Sequence, residues 1–287
     1  MKLITWNIQW GRGVDGRVDL GRIVDEARRV ADFDVLCLQE VGAGYAQLAG
    51  CDGSDQFAAL AARLPAFTAL AGPATDAPGA GGAVGRRLFG NMILSRLPVL
   101  QVFRHLLPWP ADAGLKSMQR MALEATLATP RGPLRVTTTH LEYYSAIQRA
   151  ALVERLRELH REAVAQANAV RPGDASHGPF EALPRGAAAV LTGDCNFGPG
   201  SAEHARLVAP FDDGTAPYRD AWGLTHPGQP HAPTVGLHDK AQWPGAPFAF
   251  DFVCVSANLA PRVRSLRVDA ASVASDHQPV LLDIDFD

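Results

Sequence analysis

The 287-residue sequence predicts an α/β protein in which two β-sheets pack face to face with helices on the outside. Three observations support this fold class. Short runs of β-branched, aliphatic and aromatic residues recur along the chain, as is typical of buried strands. Only two longer stretches, beginning near Asp19 and Ala146, repeat their apolar residues at helical spacing. Several predicted strands end in acidic, amide or imidazole side chains, which indicates a polar site at the end of an apolar core.

The composition limits the possible classes of protein. Hydrophobic residues make up 47% and charged residues 20% of the chain, which fits a globular protein with a sizeable core. The formal charge of -3 gives no general electrostatic argument for nucleic-acid binding. The four cysteines form no CxxC pair and therefore indicate reduced core thiols. Apolar runs are too short for a signal peptide or a membrane span, so we expect a cytoplasmic protein with a single domain over residues 1–287.

The first two predicted strands each end in a polar residue. Residues 2–8 predict a strand that ends near Asn7, an amide that strands disfavour. Asp19 is placed to cap the helix that follows. Residues 35–39 predict a buried strand, with Glu40 directly after it. Glu40 is either a metal ligand on a rigid support or a solvated loop acid.

The middle of the chain predicts loops and then four strands. Residues 42–87 are expected to be rich in loops, with one short helix over 56–64 and a mobile rim over 71–85. The strands are expected at 90–95, 99–105, 120–128 and 134–139. The loop 108–116 carries Trp109, which is either a substrate platform or a cover for the core.

A polar turn and a long helix follow these strands. His140 comes after three β-branched residues and is either catalytic or structural. The helix is expected from Ala146 to about Val170, with Arg149 near enough to His140 to reach a phosphate. Residues 171–185 predict a long loop rich in proline and glycine.

The stretch around Asp194 is the most informative. Residues 187–191 predict a buried strand, after which Gly193 allows an unusual backbone conformation. If the chain stays extended, the side chains of Asp194 and Asn196 point the same way and can hold and deprotonate a water molecule. The competing interpretation is an ordinary Asp/Asn turn.

Three further strands complete the predicted fold, at 250–255, 262–268 and 280–284, after a short helix over 201–207 and loops over 212–247. Asp251 lies in the first of these strands, and Asp276 and His277 precede the last. Hard oxygen ligands with few thiols favour Mg²⁺ or Mn²⁺. A carboxylate beside His277 can hold the imidazole as a cation for a phosphoryl oxygen.

Seven short motifs, in this order and spacing, resemble the endonuclease/exonuclease/phosphatase superfamily: TWNIQ, LQE, GNMILS, THLEYY, GDCN, FDFV and SDHQPV. The resemblance extends from Lys2 to the final strand. It implies the DNase I-like fold, a four-layer α/β/β/α sandwich with two central mixed β-sheets and the site at their top.

The resemblance also implies roles for individual residues. The metal-binding set is Asn7, Glu40 and Asp276. The catalytic set is His140, Asp194, Asn196, Asp251 and His277, in which Asp194 activates the attacking water and His277 contacts the scissile phosphate. We add a substrate-binding set of Asn91, Tyr143 and Arg149.

Two departures bear on the substrate. Gln9 stands where apurinic-site endonucleases carry an acid, and His140 stands where they carry tyrosine. These differences, with the negative net charge, argue against a DNA-repair endonuclease. The HLEYY motif and a helix with Arg149 are more similar to the sphingomyelinase and tyrosyl-DNA phosphodiesterase branches.

The implied function is a Mg²⁺-dependent hydrolase of phosphate esters, with Mn²⁺ as a possible substitute and phosphodiesters as the expected substrates. Small molecules and nucleic acids are both open as substrates, without membrane insertion or an evident obligate protein partner. The alternative is an endo- or exonuclease, which would need a basic groove built from Arg12, Arg86, Arg87, Arg104 and Arg149. A more remote alternative is a non-catalytic module that binds a phosphate ligand.

Overall fold

A computed structural model describes residues 1–82, 85–169 and 178–286 of the chain. The strands in these residues are β1 (Lys2–Asn7), β2 (Val35–Ala43), β3 (Thr68–Pro78), β4 (Arg86–Ser95), β5 (Val99–Leu106), β6 (Met121–Thr129), β7 (Gly132–His140), β8 (Ala188–Asp194), β9 (Tyr218–Asp220), β10 (Asp251–Ser256), β11 (Val263–Val268) and β12 (Val280–Ile284). The α-helices are α1 (Leu20–Val30), α2 (Gln56–Arg63), α3 (Ala146–Asn168), α4 (Ala202–Leu207) and α5 (Ala221–Thr225). Single turns of 3-10 helix lie at Gln9–Gly11, Ala80–Gly82 and Ala260–Arg262.

The strands form two six-stranded mixed sheets, in the orders β11-β12-β1-β2-β4-β3 and β5-β6-β7-β8-β10-β9. Each sheet has one parallel pair at its centre, β1 with β2 and β7 with β8. Parallel neighbours require a crossover connection, which is supplied by α1 in the first sheet and by α3 in the second. Polar residues that the sequence singles out lie at the carboxyl ends of β1, β7 and β8 and within β2.

Three apolar clusters fill the spaces between four layers. The cluster between the two sheets includes Leu3, Cys37, Ile93, Leu123 and Val190. A second cluster packs the outer face of the first sheet against α1 and α2, with Ile4, Leu36, Ile23 and Leu60. A third packs the outer face of the second sheet against α3, with Ala189, Leu191, Leu152 and Leu156. Adjacent residues such as Leu3 and Ile4 enter different cores because side chains alternate along a strand. The predicted four-layer α/β/β/α sandwich is confirmed.

The expectation of a loop-rich segment over 42–87 was wrong in its second half. Residues 68–78 form β3, which pairs with β4 from residue 86 onwards. Pro73 is tolerated because β3 lies at the edge of its sheet and its register shifts between Pro73 and Thr75. Residues 83 and 84 of the expected rim lie outside the described residues.

The helix starts agree with the sequence, whereas some boundaries differ. The Asp19 carboxylate accepts a hydrogen bond from Arg22 N–H at 3.0 Å and so caps α1 as predicted. The predicted end of α3 near Val170 and residues 171–177 of the next loop lie outside the described residues. The region 212–247, expected to be all loop, contains β9 and α5. None of the helices in the described part of the chain combines the length and the apolar character needed to span a bilayer.

Candidate active site

Strand ends from both sheets meet at the candidate site. Asn7 is the last residue of β1, His140 the last of β7 and Asp194 the last of β8. His140 and Asp194 are paired neighbours in the second sheet. Asp194 is also paired with Asp251, the first residue of β10. Sheet register alone therefore brings three of the predicted catalytic residues side by side.

The backbone around the site is unusually strained. In the described residues, positive φ angles outside glycine occur at Gln9 (44°), Trp10 (47°), Glu40 (61°) and Asn196 (51°). Such conformations persist where the surrounding structure enforces them, and they concentrate at functional sites. Here they flank the ends of β1 and β8 and interrupt β2, where the register shifts between Leu38 and Val41. Glu40 therefore lies on a bulge inside a longer strand, rather than after a strand that ends at residue 39.

Gly193 has its unusual conformation within β8, not beyond it. Its φ is 145°, and a Cβ atom there would lie 1.9 Å from the carbonyl oxygen of Thr139 on β7. Glycine is thus required because the two parallel strands approach closely just before His140 and Asp194. The expected extended chain through Asn196 was wrong, because β8 ends at Asp194 and Asn196 turns away with a positive φ.

The two carboxylate oxygens of Asp194 have different tasks. Oδ1 accepts a hydrogen bond from Asn196 N–H at 3.0 Å, which is the ordinary Asp turn. Oδ2 accepts from Asn7 Nδ2 at 2.9 Å and faces the two imidazoles. His140 Nε2 lies 3.5 Å and His277 Nε2 lies 3.6 Å from this oxygen. One oxygen of Asp194 therefore fixes the turn, and the other is held inside the site. The residue is buried, with 2% of its surface exposed.

His277 is held by a buried carboxylate. Its Nδ1 lies 2.9 Å from Asp251 Oδ2, which also accepts from the Thr234 hydroxyl at 2.6 Å. Burial alone would lower the pKa of His277, but Asp251, Asp194 and Asp276 together raise that pKa well above its usual value. His277 is therefore a cation near neutral pH, with Nε2 directed to Asp194.

The second imidazole, that of His140, is neutral. Burial, followed by the positive charges of Arg120 and His277, lowers the pKa of His140 well below its usual value. Its Nδ1 lies 3.9 Å from Glu40 Oε1. The site thus holds one protonated and one neutral imidazole on either side of Asp194.

The carboxylates of the site repel one another. Burial is the main cause that raises the pKa of Asp194 to about 7, and Asp251 and Glu40 add to it, whereas His277 and Asn7 oppose it. Burial and the charge of Asp276 raise the pKa of Glu40. Asn7 lies between the carboxylates, since its Nδ2 donates to Glu40 Oε1 at 3.0 Å as well as to Asp194.

Asp276 is oriented by groups that the sequence did not indicate. Its Oδ2 accepts from Gln242 Nε2 at 2.9 Å and from Trp243 Nε1 at 3.0 Å. Gln9 Nε2 donates to Gln242 Oε1 at 2.7 Å, which fixes the orientation of the Gln242 amide. Gln9, the departure from the apurinic-site pattern, is thus linked to Asp276 through Gln242.

The donor set fits a divalent cation. Glu40, His140 and Asp194 offer ligand atoms that lie within 4.8 Å of one another, and so do Asp194, Asp251 and His277. Four carboxylates, those of Glu40, Asp194, Asp251 and Asp276, face one protonated imidazole, which leaves an excess of negative charge for a hard cation to balance. The Asn7 amide oxygen accepts from Gln9 N–H at 3.0 Å. Of the predicted metal-binding set, Glu40 belongs to one of these two groups, and ligation by Asn7, Glu40 and Asp276 stays a prediction.

The remaining predicted residues lie around this cluster. Asn196 Nδ2 donates to the Leu141 carbonyl at 3.0 Å. Asn91 Nδ2 donates to the Met121 carbonyl at 3.1 Å, which joins β4 to β6 across the sandwich. The roles of Asn196 and Asn91 in catalysis and substrate binding stay predictions.

Tyr143 and Arg149 lie at the rim of the site. The Tyr143 ring is 41% exposed and packs edge-on against Trp243, which contacts Asp276. Arg149 is engaged by Glu203 at 3.0 Å and by the carbonyls of Glu142 and Tyr143, both at 3.0 Å. Arg149 therefore supports the turn after His140, and its predicted contact with a phosphate stays a prediction.

The arginines considered for a nucleic-acid groove are partly committed to other contacts. Arg86 pairs with Asp76 at 2.6 Å. Arg104 Nε donates to the Ala71 carbonyl at 2.8 Å. The Arg87 guanidinium lies 5.2 Å from the centre of the Tyr45 ring. With Arg149 engaged as well, these contacts leave fewer free cations than the sequence suggests.

Sequence reasoning missed Thr234, Gln242, Trp243 and Arg120. The first three lie in a segment that has no periodic pattern, so no local signal marks them. Arg120 directly precedes β6, and the rule of polar residues at strand ends could have found it.

Comparisons with known proteins identify the family and the fold. A model of the Endonuclease/Exonuclease/phosphatase family matches residues 4–277. No curated protein matches the chain. An endonuclease/exonuclease/phosphatase structure from Beutenbergia cavernae is 23% identical, with a TM-score of 0.65 over 100% of this chain and 71% of that chain.

Two further structures carry more specific names. The mannosyl-6-phosphatase Bt3783 of Bacteroides thetaiotaomicron is 15% identical, with a TM-score of 0.67 over 100% of both chains. Truncated TDP2 of Caenorhabditis elegans is 19% identical, with a TM-score of 0.60 over 98% of this chain and 95% of that chain. Identities this low show a common fold, while the family match spans nearly the whole sequence. The chain therefore belongs to the endonuclease/exonuclease/phosphatase family.

Proposed function

We propose that the chain hydrolyses phosphate esters, with phosphodiesters as its substrates, and that Asp194 activates the attacking water. The observation that carries the proposal is the position of Asp194 Oδ2. This buried oxygen lies 2.9 Å from Asn7 Nδ2, 3.5 Å from His140 Nε2 and 3.6 Å from His277 Nε2. It is therefore held at the centre of groups that can bind water and phosphoryl oxygen atoms.

The proposal includes a divalent cation, Mg²⁺, held by Glu40 and Asp276 with help from Asn7. A cation held by these residues would supply positive charge that stabilises the phosphoryl group during hydrolysis. The excess of carboxylates described above supports a cation in this cluster, and the choice of these ligands follows the resemblance to the family.

Asp194 is suited to act as the general base. Burial raises the pKa of Asp194 to about 7, which makes this carboxylate a stronger base than an exposed aspartate. In the proposed step a water oxygen attacks phosphorus, its proton passes to Asp194 Oδ2, and the bond from phosphorus to the leaving oxygen breaks. Asn7 keeps Oδ2 in position while Asn196 N–H holds Oδ1.

The two imidazoles have separate tasks in this proposal. His277, kept protonated by Asp251, donates from Nε2 to a phosphoryl oxygen as negative charge develops there. His140 is neutral and can donate a hydrogen bond to the phosphate without adding charge. The preference for diesters follows from repulsion, since a monoester at neutral pH carries more negative charge toward the carboxylates.

The test is hydrolysis of bis-p-nitrophenyl phosphate and p-nitrophenyl phosphate with Mg²⁺, with Mn²⁺ and with EDTA. The proposal predicts metal-dependent cleavage of the diester in preference to the monoester. A parallel assay of plasmid nicking separates a nuclease from a small-molecule phosphodiesterase. A folded protein that cleaves neither ester with any divalent metal would contradict the proposal and favour a binding module.

A further inference from the structure

A cavity of about 250 Å³ lies beside the catalytic cluster. Its walls are formed by the segment that leads into β6 and by the turn that follows β7. The lining residues are Lys116, Ser117, Met118, Arg120, Glu142 and Tyr144. None of them belongs to the catalytic or metal-binding sets.

Arg120 is the most unusual side chain of this cavity. It is 7% exposed, and its Nε donates to Glu142 Oε2 at 3.2 Å. Its Nη1 is buried and has no hydrogen-bond partner among the described residues. Buried polar groups are nearly always paired, and a charged donor is especially costly to leave unpaired. Arg120 lines the cavity, so its buried and unpaired Nη1 indicates that an acceptor is missing beside this guanidinium.

The position of Arg120 connects the cavity to the catalytic cluster. Ala122 pairs with Thr139, the residue before His140, so Arg120 lies beside the turn that follows His140. The positive charge of Arg120 is one of the causes that lower the pKa of His140. A ligand atom bound at Nη1 would thus lie next to the place where the scissile phosphate is proposed to bind.

The charge of the cavity differs from that of the catalytic cluster. Lys116 is exposed, and its Nζ lies 4.4 Å from the centre of the Tyr144 ring. Two cations, Lys116 and Arg120, face a single carboxylate, Glu142. The cavity is therefore net positive, whereas the neighbouring cluster is acidic.

We infer that Arg120, Lys116 and Tyr144 form a subsite for a second phosphate group of the substrate, an inference that rests on the proposed function. The Arg120 guanidinium, which lines the cavity, donates to an oxygen of this phosphate, since guanidinium groups match phosphate geometry. Lys116 adds a second positive charge from the open side. The Tyr144 ring, 46% exposed, offers a face to the organic part that joins the two phosphates.

The first test compares two substrates that differ by one phosphate. These are the p-nitrophenyl ester of thymidine 5′-monophosphate and the same ester with an added 3′-phosphate. The wild-type protein with Mg²⁺ should show a kcat/KM about tenfold or more higher for the second substrate. A ratio near one, in an enzyme that cleaves both esters, would overturn the subsite and leave the proposed function standing.

Substitutions at cavity residues test whether the preference for the substrate with the added 3′-phosphate arises in the cavity. Arg120→Gln should reduce the ratio of kcat/KM values to less than about threefold. Lys116→Gln, a change at an exposed residue that poses no folding problem, should reduce the ratio by about threefold. Glu142→Gln is the matched control, because it removes the charged partner of Arg120 and keeps the guanidinium. Glu142→Gln should keep the preference for the substrate with the added 3′-phosphate. If it lowers the ratio of kcat/KM values as much as Arg120→Gln does, Arg120 only supports the turn after β7.

Binding in the absence of turnover separates the two proposals. Titration calorimetry in EDTA should show that thymidine 3′,5′-bisphosphate binds about tenfold or more tightly than thymidine 5′-monophosphate, and that Arg120→Gln removes the difference. Such a result without hydrolysis of any ester would refute the proposed function while retaining the subsite. Equal affinities, or no measurable binding of the bisphosphate, would overturn the subsite.

Discussion

Asp251 Oδ2 lies 2.9 Å from His277 Nδ1, and both side chains are almost fully buried. The two residues come from different elements, the start of β10 and the loop before β12. Their contact fixes which nitrogen of His277 faces the carboxylate and which faces Asp194. It also supplies the main charge that keeps His277 protonated in spite of burial.

Asp251→Asn should therefore reduce kcat for diester hydrolysis by about a hundredfold or more, because His277 loses both its charge partner and its fixed orientation. The pKa of His277, followed by NMR of its ring protons, should fall in the variant. Thr234→Val is the graded control, since it removes the hydrogen bond to Asp251 and leaves the carboxylate in place. A kcat within about threefold of wild type for Asp251→Asn would contradict this account.

Glu40→Gln tests the metal site. The substituted amide keeps the size of the side chain and removes the charge that a hard cation requires. The Mg²⁺ concentration for half-maximal activity should rise by about tenfold or more. Glu203→Gln is a suitable control because Glu203 pairs with Arg149 outside the cluster. Superimposable activation curves for wild type and Glu40→Gln would remove Glu40 from the ligand set.

Gln242→Ala tests the indirect support of Asp276. The variant removes the hydrogen bond to Asp276 and the partner of Gln9 without touching a carboxylate. The half-activating Mg²⁺ concentration should rise by about tenfold, as is typical when groups that orient a ligand are lost. Gln229→Ala, on an exposed loop, should leave the activation curve unchanged. If the two variants behave alike, Gln242 does not position Asp276.

The pH dependence of stability should reveal the buried His160. Arg135 can only donate, so His160 Nδ1 accepts from it at 2.8 Å and Nε2 donates to the Ala216 carbonyl at 2.8 Å. Burial and the charge of Arg135 lower the pKa of His160 from 6.5 to about 4. Below pH 6.5 the unfolded chain binds a proton that the native protein excludes, so stability is full above that pH and is lost as the pH falls toward 4.

Between about pH 7.5 and pH 5 this one residue should account for roughly 2 kcal/mol of the change in the free energy of unfolding. Urea unfolding at both pH values measures it. His160→Gln should reduce the difference between the two pH values by about that amount, whereas His238→Gln, at a surface residue, should not. An unchanged difference in His160→Gln would mean that the buried imidazole binds its proton in the native state.

Much of the fold is predictable from sequence because local patterns agree with the final packing. The β-branched residues of β1 and β7 and the apolar runs of β2 and β8 are enough to place Asn7, His140 and Asp194 at strand ends. By contrast, β3 was not predicted, because its two prolines and its glycine are typical of loops and only its edge position makes them compatible with a strand.

The candidate site is predictable where its residues lie on strands or in short motifs beside them, as Asp276 and His277 do before β12. Thr234 and Gln242 reach Asp251 and Asp276 from a long segment whose path depends on tertiary contacts, so sequence spacing contains no signal for them. The bulge at Glu40 shows the same limit, since a shift of register depends on the pairing of β2 with β4. The approach of β7 to Gly193 likewise becomes visible only when both strands are present.

The most direct test of the central claim is the kcat of Asp194→Asn for bis-p-nitrophenyl phosphate at saturating Mg²⁺. The amide preserves the size of the side chain and the turn to Asn196 but cannot accept a proton from water. The thermal midpoint of the variant, measured beside that of wild type, controls for loss of structure. The account predicts a loss of about a thousandfold in kcat with a folded protein. A variant that retains more than about a tenth of the wild-type kcat would show that another group activates the water.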